Sequence, residues 1–285
     1  NTVKAQLENL GYKTVLVPVK STGDLILDQP LYELGITGIF TKTLDVAMVN
    51  GDVDIAVHSM KDVPTALPKG IMQGAVLKRA TTKDILVHKG LDFLETEGTI
   101  ATGSLRRKAQ WLNKYPNHKV VDLRGNVNTR LQKLEDNSWN GAIFAKAGLT
   151  RINVLPEHFI ELDWMLPAPA QGAMVIAVME QDVFCKEAVS KLNDHFSEIC
   201  TTIEREFLKT LEGGCTAPIG AYSKVEGNKV LFKAGLFSLD GKKSLIKEKS
   251  FFIDDDPKFI GRSVAIDILN DGGERIIDEI KKNFS

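Results

Sequence analysis

The sequence predicts an α/β protein that ends in a small α+β domain with an antiparallel sheet. Between residues 99 and 151, short apolar strands alternate with helical patterns, which is typical of a parallel sheet covered by helices. After residue 217, three strand-like runs follow one another, separated by the turn signals Gly227-Asn228 and Asp240-Gly241. The length of 285 residues allows two or three domains.

The N-terminal part of the chain is predicted to form a helix followed by strands. Val3, Leu7 and Leu10 form one apolar helix face that Gly11 ends, and residues 14–19 then have the composition of a strand. A loop-rich stretch over 21–41 precedes a helix near 44–49. Apolar runs at 54–58, 74–78 and 84–88 predict three further strands.

Three strand–helix pairs come next, at 99–102 with 104–114, at 119–123 with 126–134, and at 141–145 with a short helix near Leu149. Ser104 is the predicted N-cap of the first of these helices. The strand at 172–179 follows this second domain, and we expect it to return to the first one. The remaining elements are predicted as helices at 182–196 and 199–211, strands at 217–225, 228–238 and 244–253, and helices at 256–269 and 273–283.

Composition excludes several classes of protein. Lys and Arg total 36 against 37 Asp and Glu, which argues against a general nucleic-acid binder. The cysteines are Cys185, Cys200 and Cys215, an odd number without a Cys-x-x-Cys pair, so we expect a reducing compartment and no metal site. The sequence has neither an apolar run of membrane-spanning length nor a signal-peptide pattern, which favours a cytoplasmic protein without membrane partners.

Arginines concentrate in one region of the sequence. Five of the nine fall within residues 106–151, and each is predicted at a strand-to-helix junction or in a first helical turn: Arg106, Arg107, Arg124, Arg130 and Arg151. Because arginine binds carboxylate and phosphate through paired hydrogen bonds, their convergence would suit a ligand with several anionic groups. The alternative is a solvated surface with scattered salt bridges. A phosphate ligand also stays open, although no Gly-x-x-x-x-Gly-Lys-Ser/Thr loop is present.

Two other positions are candidates for chemistry. Asp62 follows the strand at 54–58 in a turn with Lys61, and its carboxylate could stabilise a positive charge or move a proton. Taken alone, Asp62 is more often a turn residue and His58 a core residue. Cys215 follows Gly213-Gly214 on a loop between a helix and a strand, where the small glycines leave its thiol open to approach, although a buried and inert thiol is the commoner case.

Together these motifs resemble the porphobilinogen deaminase (hydroxymethylbilane synthase) family. The resemblance rests on five segments in order: Asp54-Ile-Ala-Val-His-Ser-Met-Lys-Asp-Val-Pro64, Ser104-Leu-Arg-Arg107, Leu123-Arg-Gly-Asn-Val-Asn-Thr-Arg130, Ala168-Pro-Ala-Gln-Gly-Ala173 and Leu211-Glu-Gly-Gly-Cys215. It implies three domains, over 1–78 with 172–190, 82–167 and 195–285. The first two would resemble periplasmic binding proteins, with the site in their cleft.

The resemblance also implies a function. Such an enzyme condenses four porphobilinogen molecules into linear hydroxymethylbilane for haem biosynthesis and releases ammonia. Its dipyrromethane cofactor would be attached to Cys215 through a thioether, and Asp62 would be the catalytic carboxylate. The other expected cofactor contacts are Ser59, Lys61, Thr102, Ser104, Arg106, Arg107, Arg124 and Gly125, and the expected substrate contacts are Lys42, Arg130, Arg151 and Gln171. We expect a monomer.

The sequence departs from the family pattern at a few places. Ala170 stands where glycine is usual, and Lys146 where a small or apolar residue is usual. The resemblance implies a strand and an arginine-bearing loop ahead of residue 1, and we expect a chain that includes them to be more active. The rival hypotheses are a two-lobed solute-binding protein for a polycarboxylate anion and an enzyme with a phosphate ligand. A binding protein requires neither Cys215 nor Asp62, and a phosphate-ligand enzyme would show competition by phosphorylated metabolites and no pyrrole adduct.

Overall fold

The computed structural model describes residues 1–19, 41–211 and 217–284 of the chain. These residues form two compact units. The described part of the first unit comprises residues 1–19, 41–80 and 173–199, and that of the second comprises 81–172, 200–211 and 217–284. The predicted division into three domains stays a prediction.

The secondary structure alternates between helices and strands along most of the chain. The helices are α1 (Thr2–Asn9), α2 (Lys42–Val49), α3 (Leu105–Lys114), α4 (Val127–Asp136), α5 (Lys146–Arg151), α6 (Val183–Ser190), α7 (His195–Thr210), α8 (Pro257–Ile268) and α9 (Glu274–Phe284). The strands are β1 (Ile55–Ser59), β2 (Ile71–Val76), β3 (Asp84–His88), β4 (Thr99–Ala101), β5 (Lys119–Val121), β6 (Gly141–Ala145), β7 (Phe159–Glu161), β8 (Met174–Met179), β9 (Ile219–Glu226), β10 (Lys229–Phe237) and β11 (Ser244–Phe252).

The first unit contains a three-stranded sheet in the order β1-β8-β2, with β8 antiparallel to both neighbours. Ser59 at the end of β1 lies opposite Met174 at the start of β8. Val3 and Leu7 of α1 pack with Ile176 of β8, because a spacing of four residues places both on one helix face. Since β8 follows residues 81–172 in the chain, its pairing with β1 and β2 makes the first unit discontinuous.

The second unit contains a five-stranded sheet in the order β5-β4-β6-β3-β7. Strand β4 is parallel to β5 and β6, whereas β3 is antiparallel to β6 and β7. The parallel arrangement predicted from the strand–helix alternation of residues 99–151 is therefore confirmed, and strands β3 and β7 extend the same sheet through antiparallel pairings. The strand–helix pairs of residues 99–145 form the parallel part, because each helix returns the chain to the same end of the sheet. Strand β3 precedes these strands in the chain and runs antiparallel to β6. The three-residue strand β7 was not predicted.

The side chains of β3 alternate between the two faces of this sheet. Ile85 packs with Leu134 of α4, and Leu86 packs with Trp111 of α3 on the other face. Because successive side chains in a strand point to opposite faces, Asp84 shares the α3 face with Leu86. A fully buried acidic residue thus faces the helix that carries Arg106 and Arg107.

The second unit also contains the predicted antiparallel sheet, in the order β11-β10-β9. This confirms the expected α+β character of the C-terminal part. The turn after β10 approaches α3 closely, and the Asn113 side-chain amide donates a hydrogen bond to the Gly241 carbonyl at 2.7 Å. Gly241 has φ +75°, and a Cβ there would lie 2.4 Å from the Ala109 carbonyl oxygen, so the contact requires glycine.

Two predictions of secondary structure require correction. Residues 14–19 form no strand, because no described strand lies beside them to complete a hydrogen-bonded ladder, and Val15 is 89% exposed. The helix expected over 182–196 ends at Ser190, and α7 begins at His195. The other predicted elements are present, with ends shifted by a few residues. Within the described residues, no helix has the length and apolar character needed to cross a membrane.

Candidate active site

A short turn places Asp62 at the carboxyl end of β1. This 3₁₀ turn begins at Met60, which is buried and donates its backbone N–H to the Ala173 carbonyl at 3.0 Å. Ser59 and Lys61 are half-buried, and Asp62 is exposed. The Asp62 carboxylate therefore extends from an anchored backbone and is accessible to a ligand.

His58 lies immediately before this turn and is buried. Burial lowers the pKa of its imidazole below the ordinary value of 6.5, and the charges of Asp45 and Asp62 oppose that effect. Burial also raises the pKa of the Asp45 carboxyl above its ordinary value of 3.8. The buried position of His58 fits the prediction of a core residue, and it leaves Asp62 as the exposed charged group of the turn.

The N-terminus of α3 positions the first two arginines of the predicted cluster. Ser104 has extended backbone angles and caps the helix, with its hydroxyl accepting a hydrogen bond from the Arg107 N–H at 3.4 Å. The hydroxyl of the buried Thr102 accepts the Ser104 N–H at 3.3 Å. The predicted N-cap is confirmed, and Arg106 and Arg107 lie in the first helical turn.

Both arginines contact the buried carboxylate of Asp84. Arg107 donates from Nε and Nη2 to Asp84 Oδ1 at 3.1 and 2.7 Å, and Arg106 donates from Nη1 to Asp84 Oδ2 at 2.8 Å. Backbone carbonyls hold the same guanidinium groups, since Arg107 Nη1 lies 3.0 Å from the Ile143 oxygen and Arg106 Nη1 lies 2.6 Å from the Leu166 oxygen. The two arginines are therefore parts of an internal network and not a solvated surface.

Gln171 completes the surroundings of the same carboxylate. Its Nε2 donates to Asp84 Oδ1 at 3.0 Å and to the Thr82 carbonyl at 2.8 Å, and the residue is 1% exposed. The resemblance assigned Gln171 to substrate contact, but its amide nitrogen is committed to the Asp84 network. Its direct contact with substrate stays a prediction.

The charges of this network do not balance. Among the described residues, two guanidinium cations face one carboxylate, so one positive charge remains in a region where Asp84 is 0%, Arg106 5% and Arg107 6% exposed. Burial lowers the pKa of the Arg106 guanidinium, and Asp84 opposes that effect while Arg107 adds to it. The buried Nε of Arg106 has no hydrogen-bond partner among the described residues. A buried excess of positive charge favours the binding of a second anion.

A second basic group surrounds the loop between β5 and α4. Arg124 is largely buried, which lowers the pKa of its guanidinium, and the charge of Asp122 opposes this. Gly125 has φ +113°, and a Cβ there would lie 2.8 Å from the Thr129 side chain. Arg130 Nε donates to the Gly125 carbonyl at 2.7 Å. Arg130 therefore stabilises the glycine turn that positions Arg124.

The remaining predicted cations lie elsewhere. Arg151 is the last residue of α5 and is exposed, so its predicted place at a junction or in a first helical turn is wrong. The reason is that α5 starts directly after β6 and has only six residues, so that Arg151 is its last residue and not one of its first. Lys42 is the exposed first residue of α2. It belongs to the first unit with Ser59, Lys61 and Asp62, whereas the arginines belong to the second.

Cys215 lies outside the described residues, in the stretch 212–216 between α7 and β9. Cys185 and Cys200 form no disulfide within the described part of the chain, and both lie in poorly reactive surroundings. Burial, together with a hydrogen bond and the charge of Asp182, raises the pKa of the Cys185 thiol to about 12. Cys200 is 6% exposed. Since the thiolate is the nucleophilic form, neither is suited to carry a covalent group.

Family models match most of the chain. Residues 1–187 match the model described as porphobilinogen deaminase, dipyromethane cofactor binding domain, and residues 198–270 match the model for the porphobilinogen deaminase C-terminal domain. The chain belongs to the porphobilinogen deaminase family. This membership confirms the resemblance predicted from the five motifs, the transferase class and the dipyrromethane cofactor.

Curated relatives from the same family are similar over nearly the whole chain. The porphobilinogen deaminase of Nitratiruptor is 40% identical, over 97% of this chain and 91% of the relative. Those of Chlorobium phaeobacteroides and Carboxydothermus hydrogenoformans are 37% and 39% identical, over 93% and 94% of this chain and 87% and 88% of the relatives.

Solved structures give weaker similarities. The ligand-binding core of GluR0 in complex with L-glutamate covers 67% of this chain and 79% of its own, with a TM-score of 0.37 and 11% identity. A likeness of this size carries no argument about fold or function.

The residues of the second unit fit the cofactor that the family implies. Each pyrrole of a dipyrromethane derived from porphobilinogen carries two carboxylates, and these would balance the excess positive charge beside Asp84. The unpartnered Nε of Arg106 is a donor suited to such a carboxylate. Thr102 and Ser104 shape the helix N-terminus next to it, where the helix dipole also favours an anion.

Sequence reasoning missed Asp84, which the structure makes the centre of the network. It was assigned only as the first residue of an apolar strand. The available signal was its charge, because an acidic residue in a strand of buried residues is almost always paired. Its partners lie 22 and 23 positions away in the sequence, and no local pattern identifies them.

Proposed function

We propose that the chain condenses four porphobilinogen molecules head to tail into linear hydroxymethylbilane, with the growing product held through Cys215. The observation that carries this proposal is the family match over residues 1–187 and 198–270, which includes all five motifs. The reaction belongs to tetrapyrrole and haem biosynthesis.

Each condensation has a simple balance of atoms. The C–N bond of the aminomethyl group breaks, and a C–C bond forms between that methylene carbon and the free α-carbon of another pyrrole. The α-carbon loses a proton, and the nitrogen leaves as ammonia. When bound, the dipyrromethane supplies the first free α-carbon and a fixed point of attachment. The protein must therefore stabilise a transient positive charge on the substrate and hold many carboxylates.

Asp62 is suited to the first task. Its carboxylate is exposed at the end of a turn whose backbone is anchored by Met60. A negative charge held in place before the reaction stabilises the cation that forms when ammonia leaves, without a cost of reorganisation at that moment. The same oxygen atoms can accept the proton that leaves the α-carbon.

The arginines are suited to the second task. We assign Arg106, Arg107 and Arg124, with Thr102, Ser104 and Gly125, to the cofactor carboxylates, and Ser59 and Lys61 to its pyrroles. Lys42, Arg130, Arg151 and Gln171 are assigned to the substrate. The buried positions of Arg106, Arg107 and Arg124 support their part of this assignment, because charged hydrogen bonds are stronger where water is excluded.

Cys215 is the proposed point of attachment. The elevated pKa of the Cys185 thiol and the burial of Cys200 leave it as the cysteine best placed for a thioether. We also propose that the chain is a cytoplasmic monomer that contacts neither nucleic acid nor membrane. Light scattering during size-exclusion chromatography tests the monomer, and cell fractionation tests the location.

The alternative is a two-lobed binding protein for a polycarboxylate anion. The basic network beside Asp84 would serve such a protein equally well. A binding protein, however, needs neither the Asp62 turn nor a cysteine that carries a covalent group. Family membership favours the enzyme.

Turnover of porphobilinogen separates the two functions. The purified chain is incubated with porphobilinogen, and ammonia release is followed together with the absorbance of the oxidised product. The enzyme releases one ammonia for each porphobilinogen consumed, and Asp62→Ala does not. A protein that binds porphobilinogen in calorimetry but releases no ammonia would support the binding protein instead. Competition by phosphorylated metabolites, with no pyrrole adduct on the protein, would support a phosphate-ligand enzyme.

A further inference from the structure

The backbone of Asp84 is fixed on both sides within the five-stranded sheet. Asp84 lies opposite Ala145 of β6, and its carbonyl accepts a hydrogen bond from the Leu162 N–H at 2.9 Å. Its side chain is 0% exposed. A short acidic side chain on such a rigid strand can adopt few positions, so its oxygens define fixed points for the groups that bind them.

At least four hydrogen bonds from the described residues converge on these two oxygens. Oδ1 accepts two from Arg107 and one from Gln171, and Oδ2 accepts one from Arg106. The two arginines are adjacent in α3, so their side chains leave the helix in different directions. The separate oxygens of one carboxylate bring both guanidinium groups to the same place.

The arrangement leaves binding capacity on the arginines. A guanidinium has five N–H donors on three nitrogen atoms. The hydrogen bonds of Arg107 to Asp84 and Ile143 use one N–H on each nitrogen, so that two N–H donors are not used by these bonds. The Nε of Arg106 is buried without a partner in the described part of the chain. If the only role of this site were to neutralise buried charge, we would expect as many carboxylates as guanidinium groups. Among the described residues, Asp84 instead faces two guanidinium groups and balances the charge of one.

We propose that Asp84 is a positioning residue, which holds Arg106 and Arg107 in the orientation that binds the carboxylates of the cofactor and of the growing product. This inference rests on the proposed function. Asp84 itself contacts neither ligand in this role. Its carboxylate sets the direction of the guanidinium groups and keeps their net charge at a level that one further carboxylate balances.

Substitution of Asp84 by Asn and by Glu tests this role. Asp84→Asn preserves the shape but removes the charge and turns one acceptor into a donor that faces an arginine. Asp84→Glu preserves the charge but moves the carboxylate outward by one methylene. The matched control is Asp163→Asn, which removes the exposed partner of the neighbouring Lys83, at 2.5 Å. The wild type and the three variants are purified after expression under the same conditions.

Three readouts are taken from each protein. Intact-protein mass spectrometry gives the fraction of chains that carry the cofactor, thermal unfolding followed by circular dichroism gives the folded fraction, and steady-state kinetics give KM and kcat. For the folded Asp84 variants, we expect the fraction of chains that carry the cofactor to be about 10-fold lower than in the wild type, or the KM for porphobilinogen to be about 10-fold higher. The reason is that misplaced binding groups lose affinity for their ligand. The control should match the wild type in all three readouts.

The outcomes separate a positioning role from a merely structural one. If Asp84→Asn folds and has the cofactor content and KM of the wild type, the proposal is overturned. If only Asp84→Glu folds, the same result for that variant overturns it. If neither variant folds, Asp84 is a structural residue and the proposal is also overturned. If the wild type neither carries the cofactor nor consumes porphobilinogen, the proposed function itself has failed, whatever the variants do.

Discussion

Replacement of Glu204 by glutamine is expected to destabilise the second unit. Glu204 lies on α7 with 0% exposure. Its Oε2 accepts the Ala170 N–H at 2.7 Å, and its Oε1 accepts the Ser223 N–H at 2.7 Å and the Ser223 hydroxyl at 2.8 Å. These bonds connect the helix to β9 and to the segment that precedes Gln171. Ala170 has φ +61°, a conformation that costs a residue with a Cβ about 1 kcal/mol, so the bond to its N–H opposes a local strain.

The size of the effect follows from the number of acceptors. Glutamine retains one carbonyl oxygen, so its amide nitrogen must face either the Ala170 N–H or the two donors of Ser223. The better orientation preserves the bonds to Ser223 and leaves the Ala170 N–H buried against another donor. A hydrogen bond to a charged group contributes about 1.5–3 kcal/mol, and an unsatisfied buried donor costs about 1–3 kcal/mol. We therefore expect a loss of roughly 3 kcal/mol in the free energy of unfolding.

Urea unfolding and calorimetry measure this loss. For a unit of this size, roughly 3 kcal/mol corresponds to a decrease in Tm of about 6–12 °C. The control is Glu279→Gln, which removes an exposed ion pair with Lys243 at 2.8 Å and should cost less than about 1 kcal/mol. A Glu204→Gln protein whose stability equals that of the control would refute the inferred contribution of these bonds.

Three further predictions concern the first unit and the Arg124 loop. Asp62→Ala should abolish ammonia release from porphobilinogen while its Tm stays within about 2 °C of the wild type, because the carboxylate is exposed; retained turnover would refute its assigned role. Gly125→Ala should lose about 1–3 kcal/mol of stability in urea unfolding, because φ is +113° and the added Cβ meets Thr129, whereas Gly148→Ala, with open space around its Cβ, should not be destabilised. The free energy of unfolding should fall as the pH drops from 7.5 to 5.5, because His58 of the unfolded chain binds a proton near pH 6.5, whereas the buried imidazole of the folded chain binds it only at lower pH. The raised pKa of the Asp45 carboxyl has the opposite effect on stability, in a lower pH range. If His58→Gln shows the same pH dependence of stability as the wild type, the assignment to His58 is contradicted.

Strong local patterns in the sequence were sufficient for most of the fold. Ile203, Phe207 and Leu211 are spaced by four residues, and all three are buried as that spacing predicts. The turn at Gly227-Asn228 correctly predicted the hairpin of β9 and β10. The capping residue Ser104 was also readable, because a hydroxyl before a helical pattern is a local signal.

The failures concern properties that depend on distant parts of the chain. The apolar composition of residues 14–19 suggested a strand, but composition cannot supply a neighbouring strand. The sequence also gives no indication of the direction of β3, which is set by its pairing with β6, more than fifty residues later in the chain.

The sequence analysis located Arg106 and Arg107 at a helix N-terminus but did not identify the residue that they contact there. The sequence placed Arg106 and Arg107 at a helix N-terminus and predicted an anionic ligand. The structure shows that both arginines form ion pairs with the buried carboxylate of Asp84, which belongs to the protein itself. Such long-range pairing depends on the sheet topology, and no spacing in the sequence encodes it.

Intact-protein mass spectrometry of the purified chain, beside a Cys215→Ala control, tests the central claim most directly. We expect the wild type to carry an added mass equal to two condensed porphobilinogen units and the control to have its unmodified mass. An unmodified wild-type chain, both as purified and after incubation with porphobilinogen, would contradict the account. An added mass that persists in Cys215→Ala would contradict the assignment of the attachment site.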